Sequence, residues 1–189
     1  LQGECTALAA IQGGDAFADT LIVSEASGAW VHLNPNTGTE SARYAAPAVL
    51  AFATDGTTLV GFAAKDGLLI GTANGAEPPT ASNLAKDARA GLFLDDGSLL
   101  VADGLQGLKH IDLGTDGGPS IRSSLETNGM ALGVADMGNG HVAVANLGDN
   151  LTIHCSATAK DDAASTQDTG ISSLLYAAGT YTVQFDVIN

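Results

Sequence analysis

Acidic and amide side chains end several short apolar runs of this sequence, and their oxygen atoms could bind a hard cation. Glu25 ends the run TLIVSE, Asp103 ends SLLVAD, and Asn146 ends HVAVAN. Calcium in proteins takes roughly six to eight oxygen ligands. No D-x-D-x-D-G loop is present, so the fold itself would have to bring such ligands together. The alternative is that Asp and Asn are turn formers that bond to their own backbone.

Other residue types that carry chemistry are not arranged in catalytic patterns. His32, His110 and His154 fall on comparable short runs, but His110 is offset by one residue and is predicted to face the opposite side of its sheet. A shared zinc ion is therefore disfavoured. The sequence has no G-x-S-x-G elbow and no Gly-rich phosphate loop between a strand and a helix. No reaction is assigned from the sequence.

The charge balance excludes several kinds of partner. The 189 residues include 7 Lys and Arg against 21 Asp and Glu, which gives a formal net charge of −14. Such a surface repels phosphate backbones and anionic lipid, so neither nucleic acid nor a membrane surface is expected as a partner. No apolar stretch approaches the roughly 18 residues of a membrane span, so membrane insertion is not expected either.

The elements that must position these residues repeat along the chain. Hairpin signals with Gly at positions 56, 97, 140 and 179 follow one another at steps of 41, 43 and 39 residues. A second series of turns is marked by Gly28, Gly67, Gly107 and Asn150, with steps of 39, 40 and 43 residues. Two landmarks that share a period of about 40 residues indicate a repeated structural unit.

Each unit contains four short apolar runs, and no window has the apolar spacing of an amphipathic helix. Four antiparallel strands in about 40 residues are typical of a β-propeller blade, whereas a β-sandwich would not repeat its turns at a fixed period. The fold class is therefore predicted to be all-β, a single β-propeller domain over residues 1–189. The predicted units are about 4–46, 47–88, 89–129 and 130–170, with a two-stranded remainder at 171–189.

The number of blades is left open by this count. Four units and a two-stranded remainder fit a five-bladed ring, four blades with an added hairpin, or part of a larger ring. Propellers close by pairing strands from both chain ends, and only 1–5 is spare at the beginning of this sequence. A second chain that completes the ring is a further alternative.

One unit resembles a known group of propellers. The stretch TNGMALGVADMGNGHVAVANLGDNLTIH, residues 127–154, is similar to blades of calcium-dependent hydrolases of the gluconolactonase and paraoxonase type, and it also resembles NHL-type repeats and β-propeller phytases. The resemblance implies that Asn128 and Asn146 are calcium ligands. Glu25 and Asp103 take the equivalent strand-end positions in other units, and Lys65 or Asp66 takes this position in the second unit.

The two cysteines bear on the compartment. Cys5 and Cys155 lie far apart and form no C-x-x-C pattern, which fits one long-range disulfide in an exported protein; two unpaired thiols fit equally well. The first residue is Leu1 rather than Met, which indicates a processed or excised segment. We therefore expect an extracellular or periplasmic protein.

Two functions fit these observations. The first is an exported acidic propeller that binds a protein partner or a small molecule through the loops on its face, without catalysis. The second is a calcium-dependent propeller hydrolase of the lactonase or phosphatase kind, with Glu25, Asp103, Asn128 and Asn146 as the metal ligands. Calcium is the one cofactor that the sequence suggests.

Overall fold

The computed structural model describes residues 3–11, 19–114, 118–127, 129–138, 141–147 and 150–155, and every regular element in these ranges is a β-strand. The strands form four sheets, which we call blades 1 to 4. Blade 1 contains β1 (Cys5–Ile11), β2 (Thr20–Glu25), β3 (Ala29–Leu33) and β4 (Glu40–Ala45). Blade 2 contains β5 (Ala51–Thr54), β6 (Thr58–Phe62), β7 (Leu68–Thr72) and β8 (Thr80–Ser82).

The last two sheets follow the same plan. Blade 3 contains β9 (Ala90–Phe93), β10 (Leu99–Ala102), β11 (Leu108–Asp112) and β12 (Ser120–Leu125). Blade 4 contains β13 (Met130–Gly138), β14 (His141–Leu147) and β15 (Asn150–Cys155) within the described residues. Strands are paired in chain order in every sheet, and every pairing is antiparallel. The predicted remainder at 171–189 lies outside the described residues.

The blades pack in series through their first strands, because β1 contacts β5, β5 contacts β9, and β9 contacts β13. The apolar core is correspondingly divided into one cluster between each pair of successive blades. The all-β class and the propeller-like stacking of four-stranded antiparallel sheets, both predicted from the repeat, are confirmed. Among the described residues, no helix has the length and apolar character needed to cross a membrane.

Aromatic rings of one blade lie over glycines of the next. A Cβ atom on Gly61 would come within 2.3 Å of the Trp30 ring, and one on Gly91 would come within 2.5 Å of the Phe62 ring. Trp30 also meets Phe52 edge to face, with ring centroids 4.9 Å apart. Because these glycines have no side chain, adjacent blades can pack closely with the Trp30 or Phe62 ring between them.

The predicted Asp-Gly hairpins join the first and second strands of blades 2 and 3, but only glycine has a positive φ there. Gly56 has φ of 91° and Gly97 has φ of 79°, and Ala64 is the one described residue other than glycine with positive φ. Asp55 instead holds its turn through Oδ1, which accepts the amide hydrogens of Thr57 and Thr58 at 2.8 and 2.7 Å. The aspartate therefore acts as a hydrogen-bond acceptor in these turns.

Candidate functional site

Three of the predicted cation ligands occupy one structural position, the residue that ends the second strand of a blade. Glu25 pairs with Ala29 and Asn146 pairs with Asn150, in both cases with three residues between the partners in the sequence. In blade 3 the Asp103 amide donates to the Gly107 carbonyl across the same turn, at 2.8 Å. We call this the strand-end position. The sequence predicted these three equivalences correctly.

The strand-end residue of blade 2 was predicted wrongly. Ala63 occupies the position, because its amide donates to the Gly67 carbonyl at 2.9 Å, as the Asp103 amide does in blade 3. Lys65 and Asp66 are exposed and lie at the tip of the turn.

In blade 1 the strand-end carboxylate is buried against a cation from the fourth strand. Arg43 Nη1 donates to Glu25 Oε2 at 2.9 Å, and the Ser27 hydroxyl donates to the same oxygen at 3.1 Å. Arg43 also bonds to Glu40 through Nε at 3.0 Å. Hydrogen bonds to Glu40 first, and then to Glu25, raise the pKa of Arg43, so its positive charge is permanent. Glu25 is thereby neutralised within its own sheet.

In blade 3 the cation comes from the third strand. Lys109 Nζ lies 3.4 Å from Asp103 Oδ2, and the side chain of Lys109 is only 13% exposed. The other carboxylate oxygen, Asp103 Oδ1, accepts the backbone amide of Asp87 at 2.6 Å. Asp87 in turn forms an ion pair with Arg89 at 2.8 Å. Asp103 thus fixes the segment that leads into its own blade.

These arrangements have a direct bearing on calcium. No group of three or more His, Cys, Asp or Glu side chains suited to hold a metal ion occurs in the part of the chain that the structure describes. Arg43 and Lys109 supply positive charge where a calcium ion would have to sit beside Glu25 or Asp103. Asn128, the remaining predicted ligand, lies outside the described residues. The calcium site stays a prediction.

The disulfide between Cys5 and Cys155 also stays a prediction. Cys5 begins β1 and is an exposed free thiol, and its Sγ lies 3.4 Å from the Ala7 carbonyl oxygen. Cys155 ends β15 opposite His141, and its side chain lies outside the described part of the structure.

The histidine register differs from the prediction. Ile22 pairs with His32 and Leu100 pairs with His110 at matching places in blades 1 and 3, so these two histidines are equivalent rather than offset. His154 is the offset one, because it pairs with Val142, whose counterpart in blade 3 is Leu99. His32 is buried next to the Tyr44 ring, and burial lowers its pKa. The two equivalent histidines lie in different blades.

A polar network in blade 3 was missed by the sequence reading. The Ser98 hydroxyl contacts His110 Nε2 at 2.7 Å and also bonds to Asp96, which pairs with Arg122 at 2.7 Å. Partial burial opposes ionisation of Asp96, but hydrogen bonds from Ser98 and Arg122 outweigh it and lower the pKa to about 2. Ser98 is buried, and its hydroxyl joins Asp96 to His110.

The turns that follow the strand-end positions form backbone hydrogen bonds outside the turn, in blade 1 with the residue after β4, in blade 2 with the segment before β9, and in blade 3 with β13. The amide of Ala46 donates to Gly28 at 3.2 Å, that of Ala64 to Ala88 at 2.8 Å, and that of Ala131 to Gly104 at 2.9 Å. The residues at the tips of the same turns are exposed and chemically different from blade to blade. They are Ala26 and Ser27 in blade 1, Lys65 and Asp66 in blade 2, and Leu105 and Gln106 in blade 3.

Comparison with known structures supports the fold. The chain is similar to the crystal structure of the computationally designed Ika4 protein, with a TM-score of 0.63 and 13% identity over 82% of this chain and 92% of that chain. It is also similar to the crystal structure of BamB from Moraxella catarrhalis, with a TM-score of 0.57 and 14% identity over 71% of this chain. The match spans 39% of the BamB chain. At these identities the similarity concerns the fold alone.

Sequence comparison adds no family to this result. No protein-family model matches the sequence, and no curated protein matches it. The resemblance of residues 127–154 to gluconolactonase-type or NHL-type propellers therefore has no support beyond the propeller-like fold itself.

Proposed function

We propose that this protein is a non-catalytic binding module, which holds a protein partner or a small molecule on the end of the propeller where the turns between second and third strands emerge. We call this end the turn face. The proposal rests on a contrast within each turn: the strand-end residue has the same buried position in blades 1 to 3, whereas the exposed residues at the tip of the turn differ between blades. The strand-end residues Glu25, Ala63 and Asp103 are buried in the same place of each blade, while the tip residues that follow them are exposed and differ in chemistry.

Turns that are held rigidly and carry different exposed residues are suited to binding a specific ligand. Backbone hydrogen bonds from the turns of blades 1 to 3 to adjacent segments fix the height and direction of the tips, so little conformational entropy is lost when a ligand is bound. Binding residues on other scaffolds are likewise concentrated in loops that a rigid core positions. The carboxylates that could have supported metal chemistry are instead engaged by Arg43 and Lys109, which favours binding over hydrolysis.

Composition supports an exported protein that binds partners other than nucleic acid. The net charge of −14 opposes association with phosphate backbones and favours ligands that are neutral or positively charged. An extracellular or periplasmic location is part of the proposal.

Site-specific photo-crosslinking tests the proposal. p-Benzoyl-phenylalanine is placed at Ser27, Lys65 or Leu105 on the turn face, and at Thr57 or Asp95 in the hairpins at the opposite end of blades 2 and 3; all five residues are exposed. Each variant is irradiated in the source extract and its intact mass is measured, which detects a protein adduct and a small-molecule adduct alike. We expect adducts from turn-face positions only. Equal labelling at both ends, or labelling at neither, would contradict the proposal.

A further inference from the structure

The loop between the third and fourth strands of blade 2 reaches back to blade 1. We call residues 73–79 the strap. It lies at the end of the propeller opposite the turn face, because the Ala73 amide donates to the Thr57 carbonyl in the first hairpin of blade 2, at 2.8 Å. The Tyr44 hydroxyl on β4 donates a hydrogen bond to the Gly75 carbonyl oxygen. The strap is therefore held by both blades.

An aromatic surface of blade 1 lies beneath the strap. Trp30 is 1% exposed, and Ala73 belongs to the same core cluster. Pro79 lies close to this ring, since a Cβ atom on Gly71 would come within 3.4 Å of Pro79 and within 3.8 Å of Trp30. Release of the strap would therefore expose Trp30, which is the only tryptophan in the sequence.

His32 lies directly against the strap. A Cβ atom on Gly75 would come within 2.6 Å of His32 Nδ1, so the strap can approach the ring only because this residue is glycine. His32 is 2% exposed, and its Nδ1 has no hydrogen-bond partner among the described residues. A neutral imidazole has an N–H on one nitrogen, whereas a protonated imidazole has one on both. Protonation would thus place a positive charge and an unpaired N–H against Gly75.

The charged groups around His32 are not placed to offset that charge. The titratable group that faces His32 among the described residues is Tyr44, with ring centroids 6.0 Å apart. The other charged residues of the surrounding elements are Glu25, Glu40 and Arg43 on the opposite face of the blade 1 sheet, Asp55, which is bonded within its own hairpin, and the exposed Glu77 of the strap.

We propose that the strap is an acid-sensitive cover, which is released when His32 takes up a proton and which then exposes the aromatic surface between blades 1 and 2. Burial lowers the pKa of His32 from its ordinary value of 6.5, whereas in the open form the ring is in water. The open form therefore binds the proton more tightly. The closed form is fully favoured above about pH 6.5, and below it the ratio of open to closed rises by up to about tenfold per pH unit.

This device goes beyond the proposed binding function, because it lies at the other end of the propeller and does not involve the tips of the turn face. It also depends on one side chain that the fold does not require. Ile70 has the place in blade 2 that His32 has in blade 1, since Ile70 pairs with Val60 as His32 pairs with Ile22. His32→Ile therefore copies a residue that a blade already accepts and removes the proton site.

Trp30 reports the opening directly. Acrylamide quenching of its fluorescence is measured on the whole chain between about pH 7.5 and about pH 5, with circular dichroism to confirm that the strands are retained. We expect the quenching constant of the wild type to rise severalfold on acidification and that of His32→Ile to stay low. His110→Gln is the matched control, because His110 has the same place in blade 3, and it should respond as the wild type does.

Two further measurements separate strap release from other effects of acid. Gly75→Ala pushes a methyl group against His32, so it should give strong quenching of Trp30 already at neutral pH. Hydrogen exchange compares the Gly75 amide, which donates to Thr72, with the Gly38 amide in the corresponding loop of blade 1. After correction for intrinsic exchange rates, we expect acid to reduce the protection of Gly75 and to leave that of Gly38 unchanged.

Three results would overturn the inference. The first is unchanged quenching of the wild type across this pH range with the strands retained. The second is an equal rise in His32→Ile, which would assign the opening to another group. If His32→Ile does not fold, hydrogen exchange of the wild type decides, and protection of Gly75 that follows Gly38 at both pH values would reject a role of His32 in releasing the strap.

Discussion

Blades 1 and 3 bury a carboxylate at the same strand-end position and neutralise it from different strands. Glu25 is longer and reaches Arg43 on the fourth strand, whereas Asp103 is shorter and meets Lys109 on the third. Arg43 lies opposite Val31, which has the place in blade 1 that Lys109 has in blade 3. One fold position thus accepts a buried acid wherever a neighbouring strand can supply a cation.

Blade 2 extends the comparison because it has neither charge. Ala63 is at the strand end, and Leu69 has the place of Lys109, since Leu69 pairs with Gly61 as Lys109 pairs with Val101. The blade forms with an apolar pair at the two places where blade 3 has an ion pair. An acid at this position is therefore not needed for the blade to form, and its presence alone does not indicate a metal site.

The largest effect is expected when the blade 3 pair is broken. Lys109→Leu leaves the fully buried Asp103 carboxylate without its cation, and loss of one partner of a buried ion pair costs about 3–5 kcal/mol. We expect the free energy of unfolding, measured by urea denaturation, to fall by about this amount. A decrease in the free energy of unfolding of less than about 1 kcal/mol would mean that water screens the Asp103–Lys109 pair. The ion pairs of blades 1 and 3 would then differ less in strength than their burial indicates.

Blade 2 supplies the matched control for this variant. Asp103→Ala combined with Lys109→Leu copies Ala63 and Leu69 into blade 3, and replacement of a buried pair by apolar residues is often neutral. The amide of Asp87 loses its acceptor in this double variant, which costs about 1–3 kcal/mol. We therefore expect the double variant to recover part of the loss caused by Lys109→Leu. No recovery would show that the two blades are not interchangeable at these positions.

The second prediction concerns the residue after the blade 3 acid. Gly104 has φ of 52°, and a Cβ atom there would lie 2.1 Å from Asp87 Oδ2. Gly104→Ala must displace the Asp87 carboxylate, and with it the segment whose amide bonds to Asp103. Overpacking of this kind costs about 1–3 kcal/mol. The melting temperature should fall, and removal of the obstructing side chain in Gly104→Ala with Asp87→Gly should restore part of it.

The strand-end acids of blades 1 and 3 could be predicted from the sequence, but the cations that pair with them could not. The period of about 40 residues gave the strands, and an acid or amide at the end of an apolar run located Glu25, Asp103 and Asn146 correctly. Arg43 was missed because its place opposite Val31 depends on the register of β3 and β4, which shifts between His32 and Leu33. A shift of one residue would move Arg43 to the other face of its sheet.

Ala63 and Lys109 are two further residues whose roles were not predicted from the sequence. Ala63 carries no polar atom, so only the hydrogen bond to Gly67 identifies its position in the turn. Lys109 could have been noticed, because it directly follows Leu108 at the start of a predicted strand, where a largely buried lysine requires an acid. The exposure of the tip residues follows from the turn geometry.

The third prediction measures the blade 1 pair. The Arg43 side chain is 26% exposed, twice the exposed fraction of Lys109, and Glu25 also accepts the Ser27 hydroxyl. Water can therefore screen the Glu25–Arg43 pair more than the Asp103–Lys109 pair. We expect Arg43→Met to lower the urea midpoint by less than Lys109→Leu does, and added salt to narrow the gap between Arg43→Met and the wild type. A larger loss from Arg43→Met would reverse the ranking of the two blades.

The smallest effect, with the opposite sign, is expected at Ala64, the blade 2 counterpart of Gly104. Ala64 has φ of 47°, a left-handed conformation that costs an ordinary residue roughly 1–2 kcal/mol. Glycine removes this strain but gives the unfolded chain more freedom, which offsets about 0.4–1 kcal/mol. We expect Ala64→Gly to raise the free energy of unfolding by about 0.5 kcal/mol. Because Ala64 exchanges backbone hydrogen bonds with Ala88, a loss of stability instead would mean that the Ala64 methyl group contributes packing between blades 2 and 3 that outweighs its backbone strain.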